Sequence, residues 1–307
     1  MDFSKLKTYP VGSRKSKVNI RAFASPCRKG SSFRHFYDSL PDLLAVRELR
    51  AVVDAIVTAH QNRRTVLWML GAHVIKVGLS PLLIEMVRRR VVTALALNGA
   101  GVVHDFELAF MGSTSEDVAA ALADGSFGMA EETHRMLNQA IQAGAKKGWG
   151  LGRSVGTMIV RQRLPFRRLS LLATCQELGV PVTVHVAIGT DIIHQQATAD
   201  GAAIGQTSLA DFRRLVKVVS GLGGGVVGNL GSAVVLPEVF LKSVSVARNL
   251  GCTVKAFTAF DFDMIRHYRP TENVLKRPTL LGGRAIQITG HHELMIPLLV
   301  RAITEQL

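Results

Sequence analysis

Eleven side chains able to move protons or hold a cation fall just after apolar runs of this 307-residue chain. They are His73, His104, Asp105, Glu107, Asp191, His194, Asp261, Asp263, His291, His292 and Glu293. Histidine titrates near neutral pH, and carboxylates oppose ammonium groups, so the set suits acid–base chemistry on an amine or carbonyl compound. His and carboxylate also ligate zinc or manganese, which keeps metal-assisted hydrolysis or a lyase as an alternative. No H-E-x-x-H or H-x-H occurs, and a polar ligand pocket without catalysis is a third reading.

These residues need elements to bring them together. "TVLWML" (65–70), "VVTALAL" (91–97), "VPVTVHVAIG" (180–189), "CTVKAFTAF" (252–260) and "RAIQITG" (284–290) read as strands. Helical patterns lie between them. Leu43, Val46, Leu49, Val53 and Ile56 recur at helical spacing within a helical stretch over 31–64. Ser80 followed by Pro81 opens another helix, and Thr114 or Ser115 is the expected cap of a helix in 114–125. Further helices are expected over 130–148, 170–179, 208–224, within 229–251 and over 295–307. Alternating strands and helices specify an α/β fold, a Rossmann-like parallel sheet with helices on both faces. Ligands then lie outside the carboxyl ends of the strands, where the eleven residues fall.

"GLGGGVVGN" (221–229) satisfies G-x-G-x-x-G. The dinucleotide motif also needs an acid about 20 residues on, and none stands between Glu238 and Asp261. The loop reads as a glycine-permitted turn that lines a pocket through Asn229, not as a phosphate cradle.

Hydrophobic residues make up 48% and charged residues 20%, the balance of a chain with a sizeable core. No 18-residue apolar stretch is free of charge, and residues 1–23 lack the apolar segment of a secretory signal. Three scattered cysteines suit a reducing, cytoplasmic setting. Of the formal charge of +14, residues 1–30 carry eight Lys and Arg against Asp2 alone, a basic N-terminal arm. Residues 31–307 form one α/β domain. The arm raises a non-enzymatic basic binding protein as an alternative, but aromatic residues do not interleave with the basic ones, and nucleic acid is not the expected partner.

"LGGGVV", "FTAFDFD", "RPTE" and "IPLLV" follow one another in an order that resembles the C-terminal half of deoxyhypusine synthase. "NGAGVVHD" is similar to that family's "TTAGG-EED" stretch, and the resemblance spans roughly 65–307. It implies a homotetramer that uses NAD to oxidise the polyamine spermidine and transfers its aminobutyl group through a lysine imine. It implies NAD contacts at Asn98, Gly99, Ala100, Gly101, His104 and Asp105, and at Thr258, Ala259 and Asp263. Asp191 and Glu272 correspond to acids that hold the polyamine, with His194, His104 or His291 moving protons. The pattern also departs. Lys276 stands where the family has tryptophan and Pro278 where it has the imine-forming lysine, so Lys276 is the one nearby lysine for that role. Asn229 replaces the histidine of "GGGVxKH". The implied activity is an NAD-dependent transferase on a polyamine-related amine, distinct from true deoxyhypusine synthase.

Overall fold

Five consecutive apolar residues, Val66–Leu70, form strand β1, and all five are buried. Such unbroken runs suit a strand covered on both faces, unlike the alternation of a half-exposed one. The computed structural model describes residues 1–307, which divide into two units, Met1–Arg47 and Glu48–Leu307. The division falls later than the end of the basic stretch at residue 30.

The first unit holds three short 3-10 turns (Phe3–Lys5, Val11–Ser13 and Ile20–Ala22) and helix α1 (Phe33–Ser39), which Ser32 caps by accepting from the His35 amide. Helix α2 (Leu44–Gln61) follows, so the helical stretch expected over 31–64 is two helices. Between them, Pro41 disfavours helical backbone in the residue before it.

In the second unit, β1 is followed by α3 (Ala72–Lys76), α4 (Ser80–Arg88), β2 (Ala94–Asn98) and α5 (Gly99–Met111). Next come α6 (Val118–Asp124), α7 (Glu131–Ala145), α8 (Leu151–Arg161), α9 (Leu171–Leu178) and β3 (Val182–His185). Then follow α10 (Gly201–Ser220), β4 (Val226–Leu230), α11 (Val235–Asn249) and β5 (Thr258–Asp263). A helical segment runs from α12 (Tyr268–Pro270) through π-helical turns (Thr271–Lys276) to α13 (Arg277–Thr279). Strand β6 (Arg284–Thr289) and α14 (His292–Gln306) complete the chain. No helix is long and apolar enough to cross a membrane.

The six strands lie in the order β3-β2-β1-β4-β5-β6, and every neighbouring pair is parallel. All carboxyl ends therefore share one edge, and the chain's direction of growth reverses between β1 and β4. One sheet face, with Leu67, Met69, Val227 and Ala259, packs on α10 and α11 through Leu215, Val219, Leu236 and Phe240.

Four local expectations change. The cap of α6 is Asp117, which accepts from the Ala119 and Ala120 amides, because the Thr114 hydroxyl is committed to Glu107. Helix α10 begins seven residues before Ser208, at Gly201, with Asp200 as its cap. Edge strand β3 stops at His185, short of the run to 189. Strand β5 begins at Thr258 and includes Asp261 and Asp263, which were expected after the strand. The glycine loop also has the reverse context: α10 precedes it and β4 begins inside it. Gly221 to Gly225 sit at the amino edge of the sheet, opposite the ligand edge, and Gly228 lies within β4. A Cβ on Gly225 would lie 2.2 Å from the Thr65 carbonyl oxygen, so close backbone packing explains that glycine.

Asp211 of α10 ties three elements together. Its Oδ2 accepts from the Gly152 amide of α8 and the Val184 amide of β3, each at 2.9 Å. Burial is the largest effect on it and pushes its pKa up to about 7, against these hydrogen bonds. The folded protein thus holds a proton that the unfolded chain releases near pH 4, so this carboxyl's stabilisation is lost as pH rises to about 7. Asp211→Asn is expected to gain on wild type by roughly 1.4 kcal/mol per pH unit over that window and no further above it. Denaturant unfolding at pH 5, 6, 7 and 8 measures the gap; a pH-independent gap contradicts this account.

Candidate functional site

At the reversal between β1 and β4, two glycines let the strand ends pack closely. A Cβ on Gly71, which follows β1, would lie 2.1 Å from the carbonyl oxygen of Gly231, which follows β4. A Cβ on Gly231 would meet His292 Nε2 at 2.6 Å, and its φ of +72° already favours glycine. His73 of α3 and His292 of α14 stand here with ring centroids 6.0 Å apart. His292 is buried, and that burial lowers its pKa despite Asp263, whose Oδ1 is 4.0 Å from Nε2. His267 reaches the other Asp263 oxygen at 3.8 Å. His291 is exposed and faces Glu293 at 3.7 Å.

One or two residues inside this edge, a polar row crosses three strands. Register pairs Asn229 of β4 with Asp261 of β5, and Asp261 with Gln287 of β6. Asn229 Nδ2 donates to Asp261 Oδ1 at 2.7 Å, and Gln287 Nε2 donates to Oδ2 at 3.0 Å. Gln287 also reaches Thr271 Oγ1 in the π-helical segment at 3.2 Å. Burial raises the Asp261 pKa in spite of both amide donors. Asn229 therefore lies beside the rim on a strand, and not on the glycine turn.

The second cluster surrounds the start of α5. Asn98 caps that helix by accepting from the Gly101 amide at 3.0 Å. Asp191 comes in from the loop after β3, close enough that a Cβ on Gly99 would fall 1.8 Å from its Oδ2. Burial raises the Asp191 pKa to about 6, opposed by hydrogen bonds from the Ala100 amide and Thr190. Its Oδ2 is buried without a hydrogen-bond partner. His194 Nε2 stands 3.9 Å from that oxygen, while Nδ1 accepts from the Gly189 amide at 3.2 Å. Nε2 therefore carries the proton of the neutral ring, and burial keeps the ring neutral by lowering its pKa.

Asp191 and Ala100 form one wall of a cavity of about 620 Å³. Val103, Phe110 and Phe127 supply apolar surface, and His104, Glu107, Glu116, Glu132 and Lys76 supply the charged and polar groups. His104 Nδ1 lies 2.7 Å from Thr114 Oγ1. That hydroxyl donates to Glu107 Oε2 at 2.6 Å, and Thr133 donates to Oε1 at 3.0 Å. Burial, with Lys76 adding to it, lowers the His104 pKa to about 4.

Other expected site residues lie apart from these two clusters. Asp105 is wholly buried and accepts from Ser170 Oγ at 2.5 Å and from the Leu171 and Leu172 amides, so it anchors the start of α9. Burial raises its pKa to about 6. Thr258 and Ala259 open β5, about 16 Å of extended chain before Asp263. Glu272 is bound by Lys276 Nζ at 2.7 Å, and Arg277 Nε is 3.9 Å away. The Lys276 side chain is 63% exposed. An imine-forming lysine needs a desolvated, deprotonated amine, whereas this one is solvated and ion-paired. No three His, Cys, Asp or Glu side chains are arranged to hold a metal ion.

Sequence reasoning assigned no site role to Gln287, Thr271 or Thr133, and took Thr114 only as a helix cap. Only cross-strand register and loop packing bring them to the rim. Gly71 carried a legible signal in "GAH" directly after an apolar strand.

Comparison with known proteins gives no matching family model and no matching curated relative. Solved structures do match. The arginine dihydrolase ArgZ of the cyanobacterial ornithine–ammonia cycle aligns with a TM-score of 0.54 at 16% identity, over 87% of this chain and 34% of that one. AgrE, solved as a ternary complex with ornithine and NAD+, aligns with 0.53 at 14% identity, over 87% and 34%. A candidate deoxyhypusine synthase from Entamoeba histolytica aligns with 0.52 at 11% identity, over 89% and 93%. This chain spans about a third of the length of ArgZ and AgrE. At these identities the likeness establishes the Rossmann-like α/β fold.

Proposed function

We propose that this protein is an NAD-binding, deoxyhypusine-synthase-like transferase that acts on a small polyamine-related amine in the cytoplasm, as a homo-oligomer. The observation that carries the NAD part is the reversal of strand order between β1 and β4. Sheets of this kind bind dinucleotides outside the strand ends where the order reverses, the point that Gly71 and Gly231 mark here. The end of β2, which offers an acid to the ribose in many such folds, offers Asn98, whose Nδ2 remains free to donate. AgrE, similar in fold, is solved with NAD+. Bound NAD would accept hydride from the carbon beside the substrate nitrogen.

The amine part rests on the cavity beside α5. Four carboxylates against one lysine favour a cation there, and the apolar wall suits a methylene chain. Hydride can leave only from the carbon of a neutral amine, so the ammonium must first lose a proton. Asp191 takes it on Oδ2, which is buried without a hydrogen-bond partner, and the raised pKa makes that carboxylate a better base than an exposed one. Asp263, His292 and the Asn229–Asp261–Gln287 row stand on the β4–β6 side of that point. With Pro278 at the family's lysine position and Lys276 in solvent, transfer through an enzyme imine is not part of this reading.

Calorimetric titration with NAD, and mass analysis of the cofactor released on denaturation, test the proposal. Saturable binding is expected, together with spermidine-dependent reduction of NAD. Absence of both NAD binding and co-purified NAD would overturn it. Lys276→Ala is expected to change the reduction rate by less than about twofold and stability by no more than about 0.5 kcal/mol, as for an exposed pair. A loss of more than tenfold would reinstate the lysine as nucleophile.

A further inference from the structure

Thr114 Oγ1 has one proton and donates it to Glu107 Oε2. The contact of the same oxygen with His104 Nδ1, at 2.7 Å, must then be donated by the ring. A neutral imidazole has one N–H, so Nε2 carries a lone pair. Nδ1 is thus engaged and Nε2 has no partner in the chain, while His104 lines the cavity. Thr133 holds the other Glu107 oxygen, so the carboxylate at the end of the relay is anchored twice.

We propose that Thr114 and Glu107 are positioning residues that lock the His104 ring with its Nε2 lone pair toward the cavity, making His104 a specificity residue for ligands with N–H donors. The inference rests on the cavity being the amine site. Carboxylates alone attract any cation, quaternary ammonium included. A lone pair on a fixed neutral ring discriminates further, because it gains a hydrogen bond only from a cation that still bears N–H. The second, independent sign of a ligand here is Asp191, 6% exposed on the same cavity wall, whose Oδ2 lacks a partner. A primary ammonium can donate to the His104 lone pair, whereas a trimethylammonium head cannot.

Two measurements on the full-length chain test this. Histidine-selective 15N NMR, with the His104 signals assigned by their loss in His104→Gln, reads the tautomer. Wild type should show a protonated Nδ1 and an unprotonated Nε2, Thr114→Ser should match it, and Thr114→Val should shift toward Nε2–H. Titration with butylammonium and with butyltrimethylammonium reads the specificity. Wild type and Thr114→Ser should prefer butylammonium by about tenfold, the value of one hydrogen bond to a charged group. Thr114→Val and Glu107→Gln should reduce that preference by at least threefold. A His104 ring already protonated at Nε2 in wild type, or equal preference in wild type and Thr114→Val, overturns the proposal. NAD titration is scored separately: NAD binding with no amine preference removes this inference alone, and the reverse result removes the NAD reading alone.

Discussion

Gly71→Ala is expected to lower the melting temperature by about 6–12 °C and to abolish NAD binding. Gly71 has a φ of −72°, which alanine adopts freely, so the effect is one of space and not of backbone strain. The added Cβ would lie 2.1 Å from the Gly231 oxygen, 2.6 Å from the Gly231 carbonyl carbon and 3.1 Å from the Ser232 amide nitrogen. All three are backbone atoms, and the Gly71 amide is itself hydrogen-bonded to the Leu230 carbonyl at 2.8 Å, so the strands must separate at their carboxyl ends. Overpacking of this kind costs up to about 3 kcal/mol, and occasionally more. In a unit of this size each kcal/mol moves the melting temperature by about 2–4 °C. Gly205→Ala is the control. Gly205 lies within α10, and a Cβ added there would meet nothing within 4 Å, so alanine should add about 0.5–1 kcal/mol. Scanning calorimetry of the two variants reads both signs. Equal melting temperatures would mean that the strand ends are packed less closely than this geometry indicates.

The fold was legible in the sequence because parallel strands buried on both faces are written as unbroken apolar runs, such as "TVLWML". The clustering of His and carboxylate after those runs was legible for the same reason: in a parallel sheet all strand ends share an edge. Sequence reading went astray where polar residues belong to a strand. "FDFD" looked like loop because of its acids, yet Asp261 is held inside β5 by Asn229 and Gln287, two partners far away in the chain. Asp105 shows the converse limit. Its place after "NGAG" resembles a ligand contact, but its carboxylate is consumed by the start of α9, more than sixty residues on. The glycine loop misled through direction. The pattern G-x-G-x-x-G is satisfied equally by a helix-to-strand turn, and only a turn at the strand's carboxyl end can face a ligand. The glycines that meet that condition, Gly71 and Gly231, form no consecutive motif because they come from β1 and β4, adjacent only in the sheet.

Asp191→Asn is expected to make the protein more stable and a worse amine binder, with both effects growing as pH rises. The carboxyl has its pKa raised to about 6 by burial, from 3.8. Its protonated form is thus favoured in the folded state, and stability falls as pH rises from about 4 through about 6. Asparagine keeps an oxygen for the Ala100 amide and never ionises, so above pH 7 the variant should gain up to about 3 kcal/mol on wild type. Ligand binding runs the other way. An ammonium is held best by the ionised carboxylate, so wild-type affinity for butylammonium should rise through pH 6 and level off by pH 7.5. The variant loses a charge-assisted hydrogen bond worth about 1.5–3 kcal/mol, or roughly 10- to 150-fold in affinity, and should show no midpoint near pH 6. Such opposition is what a functional group paid for in stability looks like, since removing a strained or unpaired active-site charge commonly stabilises a fold. A purely structural Asp191 would share the stability trend, as Asp211 does, but its substitution would leave amine affinity unchanged at every pH. Unfolding curves and butylammonium titrations at pH 5, 6, 7 and 8, on the same two proteins, separate the cases.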